Sequence, residues 1–358
     1  MTSNTTPTPA EQLASDIRSL QYDVDSLQRE VKLSAVRDTI EDLDNQVTGL
    51  KQRIAETRRR GYAFGKGLED KATDLVRRWQ ATRPSLQAQI NQQVTGLESA
   101  MRSVEAQMTQ LAARASNVNL GRTTYNQAKA AVENLENRAS AAANTIRGLY
   151  DSIEGEVQAL QNQLHDVEWM LKQIEEASFS LLPTEAGIMA VEATWLQDNR
   201  EDKEDPKGVL YLTDQRLIFE QKQEVATKKV LFITTERKKV QEVDFEVQVP
   251  LIERIQANKQ GILKNEDHIE LAFASGAPTH MTRFHLFGQD CNEWQRLVNR
   301  AKAREFDKER AIEIDKEVIE KVKTAPTECP SCSGKITQIV ARGMDTITCP
   351  YCGSVIRL

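Results

Sequence analysis

From Ile17 to Ile174, apolar residues recur every three and four positions, the spacing that lays one stripe along a helix. The first run is Ile17, Leu20, Val24, Leu27 and Val31. The next is Leu33, Val36, Ile40, Leu43, Val47, Leu50 and Ile54, two residues out of phase with the first. Two residues turn a helix by about 200°, so the stripe changes face near Val31 and the helix buries both faces. A glycine-rich break, Gly61 to Gly67, follows. Leu68 to Ala81 reads as a short helical piece, and Thr82-Arg83-Pro84 as a new helix start. The spacing runs on from Ile90 to Val118, breaks around Asn117 to Gly121, and resumes from Tyr125 with a four-residue step across Gly155, a stutter. Three long helices with two breaks predict an up-down-up bundle, an antiparallel coiled coil over residues 11–178, on the order of 70 Å long. One extended coiled coil pairing with a second chain is the alternative, so a homo-oligomer stays open.

The helix period stops near Phe179, where Pro183 and Gly187 punctuate the change. Short strand-like runs follow: Ile188 to Leu196, Val209 to Leu212, Leu217 to Glu220, Val230 to Thr234, Val243 to Val249, Leu251 to Gln256, His268 to Ala274 and Met281 to Phe287. Gln289 to Ala303 regains helix spacing through Trp294, Leu297, Val298 and Ala301. Within this region Gly208 to Phe219, GVLYLTDQRLIF, holds two strand-like runs around the polar turn Thr213-Asp214-Gln215-Arg216, a hairpin signature.

That hairpin resembles the second and third strands of GRAM domains, modules with a pleckstrin-homology-like barrel. The resemblance extends to Val249-Pro250-Leu251-Ile252-Glu253-Arg254-Ile255 and to Phe284…Glu293-Trp294, about residues 181–302, within a domain expected over 181–303. It implies a barrel plugged by its C-terminal helix, binding a lipid or a peptide. Lipid-binding members hold phosphates with a basic loop between strands one and two. Here that loop, Asp198 to Asp205, carries five acids against two bases, a departure that counts against phosphoinositide recognition there. The dense basic cluster of the domain is instead Lys228, Lys229, Arg237, Lys238 and Lys239. A solvated hairpin face explains it most simply; contact with an anionic surface is the functional alternative.

Of the 19 aromatic residues, only seven precede Phe179, so compact packing is expected in the second half. The net charge of −6 over 358 residues gives no pull toward nucleic acid. The start, MTSNTTPTPA, has no basic flank or apolar core; it reads as a disordered tail over residues 1–10 rather than a signal peptide. No apolar run approaches the roughly 20 residues of a membrane helix. A cytoplasmic chain is expected, with peripheral membrane attachment as its open variant. Arg58 to Gly67 joins three arginines to Tyr62 and Phe64. It reads as a solvated loop ending a helix, or as a basic tip touching anionic lipid; helix-end chemistry favours the first. His280 and His285, five apart in a strand, point to opposite faces and make a poor ligand pair. Cys291 reads as a small buried residue.

Residues 304–324 are dense in opposite charges and predict a spacer helix. The last segment, residues 325–358, carries Cys329-x2-Cys332, sixteen residues, and Cys349-x2-Cys352. Four thiolates at these spacings fit tetrahedral zinc, and the tail resembles a zinc ribbon. Four protein ligands leave no open position, so one Zn2+ would be structural; disulfide or redox use is the minor alternative.

The whole reads as a multidomain α + β chain: helical rod, PH-like barrel and zinc ribbon. No nucleophile–base pair, open metal site or phosphate loop stands out, so an enzyme is not expected. A non-enzymatic adaptor is, with protein partners and an anionic membrane surface as candidate ligands. A nucleic-acid-associated protein acting through the ribbon is the alternative, disfavoured by charge.

Overall fold

The computed structural model describes residues 7–197, 201–230, 233–261, 263, 265–315, 317, 320, 324–336, 340, 342 and 344–358, without the side chains of 225–238. The chain forms two compact units. One takes Met1–Lys51 and Asp70–Gln161; the other takes Gln52–Glu69 and Asn162–Leu358.

Five helices supply the apolar stripes: α1 (Pro9–Val31), α2 (Ser34–Arg59), α3 (Leu68–Arg114), α4 (Val118–Arg147) and α5 (Asp151–Glu175). In the first unit Leu20, Val24, Leu43, Val47, Ile90, Leu111, Val132 and Leu135 are buried. Polar pairs fix the register. Trp79 Nε1 donates to Asp44 Oδ1 (2.7 Å), Arg78 meets Glu156 (2.9 Å), and Arg122 Nη1 donates to Asp16 Oδ2 (2.5 Å).

Four sequence expectations change here. Helix α1 begins inside the expected tail: Thr8 and Glu11 form a capping box, Thr8 N to Glu11 Oε2 at 2.7 Å, with Pro9 at the first helical position. Residues 1–6 lie outside the description. The phase change at Val31 is a break, not a helix burying two faces. Leu33 takes a left-handed φ of 52° and stays buried, so the chain restarts at Ser34 with its stripe reset. Pro84 does not start a helix: α3 runs through it, with Trp79 and Leu86 buried on either side. The third stripe, expected to run as one helix with a stutter at Gly155, is interrupted at Gly148 to Tyr150, between α4 and α5, while Gly155 lies inside α5.

In the second unit an antiparallel sheet has the order β4-β3-β2-β1-β7-β6-β5. Its strands are β1 (Gly187–Leu196), β2 (Lys207–Thr213), β3 (Arg216–Val230), β4 (Ile233–Gln248), β5 (Ile252–Gln260), β6 (Glu266–Phe273) and β7 (Met281–Phe287). Of the expected separate strand Val230 to Thr234, Val230 ends β3 and Ile233 and Thr234 begin β4, paired antiparallel; residues 231 and 232 lie outside the described residues. Strand β2 reaches β3 only as far as Gln221; beyond it β3 pairs with β4 alone, as a two-stranded arm. Gly208 is forced by this pairing, since a Cβ there would lie 1.9 Å from the Glu220 carbonyl oxygen.

The sheet core is aromatic. The rings of Trp195, Phe219, Phe245 and Phe284 meet at centroid distances of 5.4 to 6.3 Å, and Trp195 Nε1 donates to Thr282 Oγ1 (2.6 Å). Helix α6 (Cys291–Lys302) covers β5 and β6 with Trp294 and Val298 fully buried, capped by Asp290. Gln295 Oε1 accepts from the Ala257 amide (2.6 Å).

The charged segment after α6 is not a helix from Arg304. Arg304 sits at φ 55°, a left-handed stop. A 3-10 turn, Glu305–Glu309, then buries Phe306, and residues 310–315 are extended or bent. Phe306 breaks the charge pattern, and packing it outweighs the helix that pattern would support. Most of 316–323 lies outside the described residues. The tail closes with β8 (Thr346–Thr348) pairing β9 (Val355–Arg357).

Candidate functional site

The four tail cysteines come together. Their sulfurs all lie within 4.8 Å of one another. Cys329 Sγ is 3.7 Å from Cys352 Sγ, and Cys332 Sγ is 3.6 Å from Cys349 Sγ. Four sulfurs at about 2.3 Å from one zinc stand about 3.8 Å apart, so the donor set fits a tetrahedral ion. Two matching turns position them. The Cys329 amide donates to the Gly334 carbonyl (2.9 Å) while Ser333 N donates to Cys329 O (2.8 Å). The Cys349 amide repeats this on Ser354 (2.9 Å), with Gly353 N on Cys349 O (3.0 Å). Each turn needs a left-handed residue after its second cysteine, Ser333 at φ 54° and Gly353 at φ 71°. The Tyr351 amide points at Cys349 Sγ (3.4 Å), and the Ser354 hydroxyl, 3.1 Å from Cys352 Sγ, holds that thiol down at about 6. Ile336, Ile347 and Ile356 complete a small core around the buried Cys329 and Cys349.

The tail is not held apart by a spacer. Arg342 Nη2 donates to Asp214 Oδ2, and its Nη1 donates to Asp307 Oδ1 (3.2 Å). Asp214 belongs to the hairpin turn singled out in the sequence. Its Oδ1 accepts from the Ala186 amide (3.0 Å), and its Oδ2 also accepts from Arg310 Nη1 (2.6 Å). Burial raises the Asp214 pKa, against the pull of Arg342, the Ala186 amide and Arg310. The neighbouring Arg216 is committed as well. Its guanidinium bonds the buried Glu185 through Nε (2.9 Å) and Nη2 (2.5 Å), Glu246 through Nη1 (3.0 Å), and the Ser180 carbonyl (3.0 Å). The resemblance-bearing Arg216 is thus a structural clamp. Sequence pattern gave no sign of its partner Glu185, 31 positions away.

The arginine–aromatic tip is a packed loop rather than a solvated one, and its two aromatic rings face inward. The chain wraps around Arg58, whose guanidinium donates to the carbonyls of Tyr62 (2.8 Å), Phe64 (2.5 Å) and Gly65 (2.9 Å) and to Glu69 (2.7 Å). Tyr62 and Phe64 are buried. Phe64 meets the Phe306 ring edge-on at 5.4 Å, Arg310 lies over its face at 5.1 Å, and Ala311 N donates to Ala63 O (2.7 Å). Arg60 pairs with Glu175 (2.8 Å). Desolvation pushes the Tyr62 hydroxyl up to about 12.

The basic cluster falls on the two-stranded arm. The backbone sets Lys228 opposite Glu236, with Arg237, Lys238 and Lys239 facing Ala226, Val225 and Glu224. Lys239 is exposed; the side chains of Lys228, Lys229, Arg237 and Lys238 lie outside the description. Of the acidic loop, residues 198–200 lie outside the described residues; Asp205 is buried, and Glu201 Oε2 reaches His285 Nδ1 (2.6 Å).

His285 does have a histidine neighbour, but it is His268. They are direct partners on β6 and β7, and their rings stack at 4.4 Å. Finding this pair requires the strand register, which the sequence pattern does not provide. Cys291 is buried as expected. It lies near Asp267 and Asp290, but Lys259 bonds both carboxylates, so a lysine takes the place a cation would have.

No family model and no curated protein matches the chain. Among solved structures it is similar to the Vps36 N-terminal PH domain, at 14% identity and a TM-score of 0.24, over 35% of this chain and 83% of that one. It is also similar to the DH/PH domains of PDZ-RhoGEF in complex with activated RhoA, at 12% identity and 0.23, over 84% and 96%. The DH/PH domains of p115-RhoGEF score 0.19 at 12% identity, over 82% and 97%. Likenesses this slight carry no argument about this chain. Among the described residues no helix is long and apolar enough to cross a membrane.

Proposed function

We propose that the chain is a non-enzymatic adaptor: a helical rod, a GRAM/PH-like module that docks on a protein or membrane surface, and a tail fixed by one structural Zn2+. The observation that carries it is closure of the tail site. Cys329, Cys332, Cys349 and Cys352 together satisfy a four-coordinate ion and leave no position for substrate or water. The strand order, with β1 joining both halves and α6 covering one side, supports the PH-like reading. The engagement of Arg342 by two carboxylates counts against a nucleic-acid role for the ribbon.

The two-stranded arm is the surface we assign to an anionic membrane contact, through Lys228, Lys229, Arg237, Lys238 and Lys239. Each base near such a surface contributes about 1 kcal/mol, and the sum weakens with salt. The test is co-sedimentation of the full chain with vesicles containing phosphatidylserine. Binding lost in Arg237→Ser/Lys238→Ser/Lys239→Ser supports the membrane reading. Wild-type protein that ignores these vesicles at low salt ends it and leaves protein docking. Metal analysis of the same preparation is expected to return one zinc per chain; none would remove the structural-metal part.

A further inference from the structure

Beside Asp214 lies a cleft of about 410 Å3, formed entirely within the second unit. That volume lies in the range of small-molecule sites. Its walls are the hairpin turn, the Val249–Pro250 bend, the stretch from Ala301 to Ile314, Lys66 of the tip, and Val340 and Arg342 of the tail.

Charge marks it first. Lys66, Lys302, Arg304, Lys308, Arg310 and Arg342 line it, against Asp214, Asp307 and Glu313. This excess of bases stands in a chain of net charge −6. Arg310 and Arg342 are held by Asp214, and Lys302 Nζ donates to the Glu253 carbonyl (2.7 Å). Lys66, Arg304 and Lys308 are exposed, and their side chains pair with no described residue. Three like charges thus line the cleft, and Glu313, also exposed, is the one lining carboxylate without a partner among the described residues to set against them.

A buried donor marks it second. Gln215 is 6% exposed and lines the cleft, and its Nε2 has no acceptor among the described residues. Buried amide N–H groups are nearly always met. Backbone strain marks it third. Arg304 ends α6 in a left-handed conformation that glycine fills without penalty. An arginine there carries a cost that a bound anion would offset.

We propose that this cleft binds a phosphate-bearing anion, with Lys66, Arg304 and Lys308 meeting its charge and Gln215 Nε2 donating to one of its oxygens. A lone carboxylate brings one negative charge; a phosphate ester or polyphosphate matches three unpaired bases. Pro250, Ile314 and Val340 leave some apolar surface at the rim for an organic part. The phosphate belongs either to a free phosphorylated compound or to a lipid headgroup. The proposal uses none of the arm residues assigned above and does not rest on that assignment.

The test is calorimetric titration of the full, metal-loaded chain with inorganic pyrophosphate and with soluble inositol trisphosphate. Saturable binding that weakens as salt rises is expected for at least one. Arg304→Gly/Lys308→Ser is expected to weaken it about tenfold or more with no loss of unfolding midpoint. Gln215→Met removes the unmet donor, so it is expected to weaken binding while leaving stability equal or higher. Lys228→Ser/Lys229→Ser is expected to bind as wild type. Phosphatidylcholine vesicles doped with phosphatidylinositol bisphosphate separate the sources. Co-sedimentation displaced by inositol trisphosphate and lost in the double variant supports the proposal with a lipid headgroup as ligand. Binding of soluble phosphate without co-sedimentation supports it with a free compound. Failure of both soluble probes to bind, or unchanged affinity in Arg304→Gly/Lys308→Ser, overturns it.

Discussion

Arg310 Nη1 donates to Asp214 Oδ2 over 2.6 Å, and that carboxylate is almost wholly buried, with 3% of its side chain exposed. The pair joins the hairpin turn to the segment after α6, and Arg342 adds the cysteine-bearing tail to the same oxygen. Asp214→Asn keeps the shape but leaves the half-buried Arg310 guanidinium without its ion-pair partner and Arg342 with Asp307 alone. A loss of about 3 kcal/mol is expected, read from the urea midpoint of the second unit. A change under about 1 kcal/mol would show that solvent replaces the carboxylate.

Gly208 and Gly96 are expected to respond to alanine with opposite signs. At Gly208 the new Cβ meets the Glu220 carbonyl, so β2 and β3 must separate; roughly 3 kcal/mol or more should be lost. At Gly96, inside α3, nothing lies within 4 Å of the added carbon. There alanine removes backbone freedom from the unfolded chain and should add about 1 kcal/mol. Thermal melts of the two variants check both signs.

The His268–His285 stack predicts a pH dependence. Burial, and then the charge of His285, lower the His268 pKa; Glu266 and Glu201 pull it up without reversing the shift. The unfolded chain takes up this proton near pH 6.5, while the native chain does so only at lower pH. The stability is complete above about pH 6.5 and falls as pH drops toward the native pKa, by at most about 1.4 kcal/mol per pH unit. His268→Phe keeps a ring in the stack and removes the proton. Urea midpoints measured downward from neutral pH should therefore be flatter in the variant, and equal slopes would refute the assignment.

The two cysteine turns of the tail offer a matched pair. Ser333→Gly relieves a left-handed serine, and Gly353→Ala imposes the same strain on its counterpart. For the proposed zinc, metal binding and folding of so small a module are one event, so its affinity reads both. It is expected to rise several-fold in the first and fall several-fold in the second, each for about 1 kcal/mol. Competition with a chromophoric chelator measures it.

The helical stripes, the hairpin around Thr213 to Arg216 and the cysteine pairs were legible in the sequence because their signals are local. Spacing of three and four survives in one helix, and a C-x-x-C turn needs only its own residues. The start at Thr8 was legible too, as Thr-x-x-Glu with proline between, but low complexity beside it obscured the cap. Other features had no local trace. Leu33, Arg304 and Ser333 are ordinary residues driven to positive φ by what surrounds them. Glu185, Asp214 and Arg342 gain meaning only once distant segments meet. The segment after α6 shows the conflict directly: its charges favour a helix, but buried Phe306 and the long-range contacts of Arg310 and Ala311 hold its first part in another course.

The contact of Phe64 with Phe306 also bears on how the chain is made. The tip emerges from the ribosome long before its partner. At about 5 to 20 residues per second, the interval is on the order of tens of seconds. Throughout it, Tyr62 and Phe64 have no cover from Phe306 or Arg310, and the guanidinium of Arg58 is left to organise the loop by itself. Nascent chains stalled before Phe306 should therefore present a sticky aromatic knuckle that chaperones recognise, and chains long enough for Ala311 to have cleared the exit tunnel should not.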